Sequence, residues 1–123
     1  MKFLSIYKTA ETGVPPSQEE MANMGKLIEE GMKAGYLLGV EGCLPSATGA
    51  RVRLSNGKVT VTDGPFTEAK EVIGGFAILK ANSKAEAVEL VKQFLNVAGD
   101  GECELRQVYE ADQNTQAQGK AKS

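Results

Sequence analysis

The chain opens with apolar side chains on both parities of a short alternating block, Phe3 to Lys8. Leu4 and Ile6 share one face, Phe3 and Tyr7 the other. A strand apolar on both faces needs cover on both. Thr9 to Pro16 is rich in turn residues and reads as a loop. Ser17-Gln18-Glu19-Glu20 has the spacing of a capping box, with a hydroxyl for a free amide and a glutamate reaching back. Met21, Met24, Leu27, Ile28 and Met32 then recur at helical spacing and make one stripe, and Gly35 supplies a C-terminal stop. Gly25 and Gly31 lie inside this helix, each weakening it by up to about 1 kcal/mol relative to Ala.

Tyr36 to Leu44 reads as a second strand. Its interior glycines, Gly39 and Gly42, suggest a bulge or a close backbone approach. Arg51 to Leu54 and Lys58 to Thr62 alternate around Ser55-Asn56-Gly57, and Asn-Gly between two alternating runs predicts a hairpin. Gly74-Gly75 leads into a further two-faced strand, Phe76 to Leu79. Ser83 to Glu86 repeats the capping-box spacing before a helix with Val88, Val91 and Leu95 on its stripe and Ala87, Leu90 and Phe94 beside it. Gly99 ends that helix. Cys103 to Tyr109 is a last strand whose flanking charges, Glu102, Glu104 and Arg106, suit an edge. Residues 111–123 carry no apolar periodicity and are expected to form a disordered tail.

Strand, helix, strand, hairpin, strand, helix, strand is a βαββαβ pattern with a hairpin added. An α+β ferredoxin-like sandwich fits it. Two helices cover only one face of such a sheet. With Phe3, Tyr7 and a face of the Phe76–Ala77 strand left apolar, the simplest cover is a second copy packed sheet to sheet, giving a homodimer. The other cover is the chain's own loops, including the segment around Phe66.

Bulk properties narrow the class. The 123 residues are enough for one domain with its own core. A net charge of −2 without a basic block argues against nucleic acid as a partner. No apolar run approaches a membrane span, and the N-terminal apolar run is too short for a secretory signal, so a cytoplasmic location is expected. Cys43 and Cys103 form no CxxC pair and read as free thiols. There is no histidine. That removes the usual general base near neutral pH and the commonest metal ligand, and neither a metal nor a cofactor is expected.

The densest chemistry is Asp63-Gly64-Pro65-Phe66-Thr67-Glu68-Ala69-Lys70-Glu71, in which three carboxylates, an ammonium and an aromatic ring surround a Gly-Pro turn. Asp63 shares the parity of Val59 and Val61, which would end an apolar face with a carboxylate suited to proton transfer if buried. The bland reading has Asp63 starting the turn, its carboxylate accepting from amides two or three residues on. Phe66 is a core plug or a ligand-stacking ring. Glu68, Lys70 and Glu71 pair among themselves or with Arg51 and Arg53, or else Lys70 holds an anionic group with Glu71 orienting it. Tyr7 and Glu41 are further ligand-binding candidates: Tyr7 as a phenol on the dimer side of the sheet, Glu41 between strand glycines. Their bland readings are interface packing and a loop-end charge.

This run resembles the signature of the DGPF proteins, a branch of the YCII-related domain family. Met1-Lys2-Phe3-Leu4, Glu20-Met21, Gly39-Val40-Glu41-Gly42-Cys43-Leu44-Pro45, Val59-Thr60-Val61-Thr62 and Gly74-Gly75-Phe76 look like the family as well. The resemblance covers residues 1–110. It implies a dimeric α+β barrel; the wider family includes small-molecule enzymes, and many members are encoded beside extracytoplasmic-function sigma factors. Some relatives carry a His–Asp pair in a cleft. Here only the Asp carries over, onto Asp63. One expectation is thus a small-molecule-binding dimer, a non-metal isomerase or lyase acting on a small organic acid, with Asp63, Lys70 and Glu71 catalytic and Tyr7, Glu41, Phe66 and Glu68 binding. The other is a non-enzymatic binding or regulatory module linked to sigma-factor-dependent transcription.

Overall fold

A computed structural model of the protein describes residues 1–110; the tail expected to be disordered, 111–123, lies outside the described residues. Strands β1 (Lys2–Thr9), β2 (Leu37–Gly42), β5 (Val72–Lys80) and β6 (Glu102–Gln107) form one antiparallel sheet in the order β2-β5-β1-β6. That order and the helices α1 (Gln18–Ala34) and α2 (Lys84–Ala98) make the α+β ferredoxin-like arrangement. β3 (Ala50–Ser55) and β4 (Lys58–Asp63) form the separate expected hairpin. Its turn has Asn56 at φ 51° and Gly57 at φ 78°, the double positive φ that Asn-Gly accommodates.

The helix ends follow the local sequence. The Ser17 hydroxyl accepts from the Glu20 amide at 3.1 Å and Glu20 Oε1 accepts from the Ser17 amide at 3.1 Å, so the first capping box closes. At Ser83 only half of the motif forms. The hydroxyl accepts from the Glu86 amide, but the Glu86 carboxylate turns instead to the backbone and side-chain amides of Asn82. A neighbouring Asn with two donors outcompetes one backbone N–H for that carboxylate. α1 ends at Gly35, φ 86°, whose amide returns to the Gly31 and Met32 carbonyls.

The sheet faces differ from the sequence expectation. Phe3 is buried against Leu79, Ala81 and Ala87, and the Tyr7 ring meets Phe94 of α2 edge-on at 5.2 Å. Phe3 and Tyr7 therefore face the helices, not the open side. The open side is Leu4 and Ile6 of β1 opposite Ile78 and Phe76 of β5. Parity along β1 separates these two sets but does not say which one the helices choose. The register chooses, because Phe3 pairs with Leu79 and Ser5 with Ala77, which α2 covers. β5 also starts four residues earlier than the apolar run suggests, so Gly74 and Gly75 lie inside it.

Towards the β6 edge the open face turns charged. Lys8 Nζ and Glu104 Oε1 are 2.9 Å apart, and Arg106 reaches Glu104 at 3.2 Å. The Lys8 ammonium keeps its proton above the usual lysine range because Glu104 accepts from it, and Glu104 is held below the usual carboxylate range by the same bond. Cys43 and Cys103 are both free thiols, and burial pushes the Cys103 thiol up.

The face assignment has a direct test. Phe3→Ala should cost about 3–5 kcal/mol in a urea titration, as a deleted core aromatic does. Val88→Ala, on the exposed flank of α2, should stay within about 0.5 kcal/mol.

Candidate functional site

The charged run at 63–71 is anchored from outside itself. Ser46 is buried in a single 3-10 turn (Ser46–Thr48) between β2 and β3. Its hydroxyl accepts from the Phe66 amide at 3.0 Å and donates to Glu11 Oε2 at 2.6 Å, while its amide donates to Glu11 Oε1. Ser46 thus ties the loop after β1 to the signature loop. The Glu11 carboxyl is held below its usual range, first by the Ser46 hydroxyl and then by the Ser46 amide. The Gly64 amide donates to the Gly49 carbonyl at 2.9 Å. A Cβ on Gly64 would lie 1.6 Å from the Ser46 carbonyl oxygen. Only glycine allows that approach, so the Gly64-Pro65 step is fixed by packing as well as by turn chemistry.

Phe66 is half-buried, with the Arg51 guanidinium 4.0 Å above its ring, a cation–π contact. Arg51 also pairs with Glu68. The Glu68 carboxyl sits below its usual range, chiefly through its own backbone amide and then through Arg51. One face of the Phe66 ring is thus covered by Arg51. Asp63 is exposed at the end of β4, opposite Ala50. Its carboxylate accepts none of the bonds that organise the loop, whose capping acceptors are Ser46 and Glu11. Lys70 and Glu71 are exposed, and among the described residues neither forms an ion pair.

A second region has the shape of a binding site. A cavity of about 470 Å³ lies between α1, α2 and the helix-facing side of the sheet. Its roof includes Met21, Met24 and Ile28 of α1, and its floor includes Gly42 and Gly75, which pair directly across β2 and β5. Neither glycine puts a side chain on the floor: a Cβ on Gly42 would meet nothing within 4 Å, and a Cβ on Gly75 would come 2.7 Å from the Glu41 carbonyl oxygen, so Gly75 serves close strand approach. α1 touches the sheet closely at its other end: a Cβ on Gly31 would come within 3.0 Å of the Tyr36 ring and Leu37 Cβ. Ligand cavities commonly fall between about 300 and 1,000 Å³ with mostly apolar walls.

Two sequence candidates border this cavity, Tyr7 and Glu41. Tyr7 reaches it from the helix side, which replaces its assignment to the dimer side. Its hydroxyl donates towards the Asp100 carbonyl at 2.9 Å, with the Gly99 carbonyl at 3.3 Å. Glu41 pairs in register with Phe76 of the open face, so it meets the cavity at the rim. Asp63, Phe66, Glu68, Lys70 and Glu71 do not line it. The sequence candidates thus divide between two places; the sequence marks Gly42 as a strand glycine but not as part of a cavity floor, and it gives Glu11 and Ser46 no role. Interior strand glycines were the available signal for Gly42. For Glu11 and Ser46 there was none, because they meet across 35 residues of chain. No three Cys, Asp or Glu residues gather as a metal site among the described residues, and no helix there is long and apolar enough to cross a membrane.

The YCII-related domain matches residues 1–112 of the chain. An uncharacterised protein of Rhizobium meliloti (strain 1021) is 32% identical over 76 residues, covering 62% of this chain and 61% of that protein. The match thus spans about three fifths of the curated relative's length.

Two predictions test the loop anchor. Gly64→Ala should lower the melting temperature by several degrees, because backbone at Ser46 must move to admit the methyl group. Glu11→Gln should destabilise at pH 7 and much less in acid. The folded-state value of Glu11 lies below its unfolded value, so its contribution is present above the ordinary carboxyl range and disappears as pH falls through the folded value. Urea midpoints of wild type and variant should draw together as pH falls below the ordinary carboxyl range; a constant gap would show that the lost contact is steric rather than ionic.

Proposed function

The chain belongs to the YCII-related domain family, and from that premise we propose that it is a small-molecule-binding protein whose site is the cavity between α1 and the sheet. The observation that carries this reading is the bare floor. Gly42 and Gly75 pair beneath a methionine-bearing helix face and leave about 470 Å³ open in a domain whose tightly buried apolar core, among the described residues, is only Phe3, Leu79, Ala81 and Ala87. Methionine walls adapt their shape to an occupant. Binding without turnover is the form the geometry favours, and it suits a regulatory module. Nothing in the signature loop favours the isomerase or lyase reading over it: Asp63, Lys70 and Glu71 are exposed and outside the cavity.

The working unit we propose is a homodimer through the open sheet face. Leu4, Ile6, Phe76 and Ile78 have no helix over them, and Phe76 is 40% exposed on a central strand. An uncovered apolar patch bordered by charges is typical of an interaction surface.

Both parts can be measured. N-Phenyl-1-naphthylamine, a neutral apolar probe, should brighten on binding the protein. Gly42→Leu should abolish that signal with the melting temperature retained or raised, since a Cβ at Gly42 meets nothing within 4 Å and glycine weakens a strand. Undiminished probe binding in Gly42→Leu would remove the cavity from consideration. For the assembly, light scattering at micromolar concentration should give a dimer mass for wild type and a monomer mass for Phe76→Glu. A monomeric wild type would overturn the interface.

A further inference from the structure

We propose that the cavity selects apolar amines and rejects organic acids; this rests on reading the cavity as a binding site. Three observations about its wall point the same way. First, no Lys or Arg is among the described residues that line it. A carboxylate brought inside would lose its hydration with no cation to replace it, a penalty that apolar walls make severe. Second, the acidic side chain on the cavity side of α1 is Glu20, on the same helical face as Met24, Leu27 and Gly31. One of its oxygens is taken by the Ser17 amide at 3.1 Å, which leaves the other to accept from a ligand. Its carboxyl is held below the usual range, first by that backbone amide and then by the Ser17 hydroxyl, so it is anionic at neutral pH. Third, Tyr7 lines the cavity but has committed its proton to the Asp100 carbonyl. What the phenol oxygen has left is accepting capacity.

The positive end of α1 is the feature that would favour an anion. It is offset where it stands. The Ser17 and Glu20 amides are already bonded within the capping box, and Glu19 and Glu20 place two carboxylates in the first turn. A molecule that matches this wall has an apolar body for the methionines and a donor-rich cationic head for Glu20 and the Tyr7 oxygen. Charge-assisted hydrogen bonds to a carboxylate are stronger than neutral ones, which ranks an amine above an alcohol of the same shape.

Three nearly isosteric probes separate the outcomes: 4-tert-butylbenzylamine, 4-tert-butylbenzyl alcohol and 4-tert-butylbenzoate, titrated by calorimetry and by displacement of N-phenyl-1-naphthylamine at pH 7 and low salt. The amine should bind tightest, the alcohol several-fold weaker, and the benzoate at least about ten-fold weaker than the amine. Glu20→Gln retains a side chain competent for the capping box but removes the charge. It should bring the amine to the level of the alcohol and leave melting close to wild type. Benzoate binding as tightly as the amine, or the alcohol binding tightest, would overturn the selectivity while leaving the cavity as a site. An amine advantage that survives in Glu20→Gln would overturn the assignment to Glu20. Failure of all three probes, with Gly42→Leu making no difference to any of them, would remove the binding reading itself.

Discussion

The close contact of α1 with the start of β2 sets the rest of the structure. Gly31 lets the last turns of the helix approach Tyr36 and Leu37, where any Cβ would be within 3.0 Å of both. A helix fixed closely at one end, above a sheet with side chains missing from part of its surface, leaves a wedge of space. Gly42 and Gly75 supply that missing part. Interior glycines weaken α1, β2 and β5 for two different ends: Gly31 and Gly75 permit close approach, a Cβ on Gly75 falling 2.7 Å from the Glu41 carbonyl oxygen, while Gly42 leaves open space. A well-filled interface would give a larger core and no cavity.

The signature loop follows a different logic, in which backbone proximity rather than side-chain chemistry sets the shape. Ser46 works with its amide, carbonyl and hydroxyl together. The amide and hydroxyl bind Glu11, the hydroxyl also receives Phe66, and the carbonyl lies where Gly64 must have no side chain. Arg51 closes the outer side over Phe66 and pairs with Glu68. The conspicuous charges at Asp63, Lys70 and Glu71 are left facing water. Dense charge in a sequence therefore marked a folded loop, while the cavity formed under residues with little or no polar character.

The two sheet faces divide the labour. The helix side holds the core and the cavity. The open side carries an apolar centre at Leu4, Ile6, Phe76 and Ile78, with the Lys8–Glu104–Arg106 cluster towards the β6 edge. The hairpin arm keeps Val52, Leu54, Val59 and Val61 together on one side, all at least 60% exposed. Apolar surface of this kind is unusual on a chain with no partner.

By itself the sequence determined the local structure. The capping box at Ser17, the stop at Gly35, the Asn56-Gly57 turn and the edge character of β6 depend on residues a few positions apart, and each was legible from spacing and residue type. Element order then gave the ferredoxin-like topology, and the run at 63–71 pointed to the family. Only the tertiary structure decided what depends on pairing across the chain. Alternation in β1 separated Phe3 and Tyr7 from Leu4 and Ile6, but the choice of which pair meets the helices required the register with Leu79 and Ala77. Glu11 and Ser46 carried no local signal. Gly42 and Gly75 were visible as strand glycines, but their shared position beneath α1 was not. A period of two fixes which residues share a face, and a cap fixes where a helix begins; neither contains the long-range pairing that turns a missing side chain into a cavity.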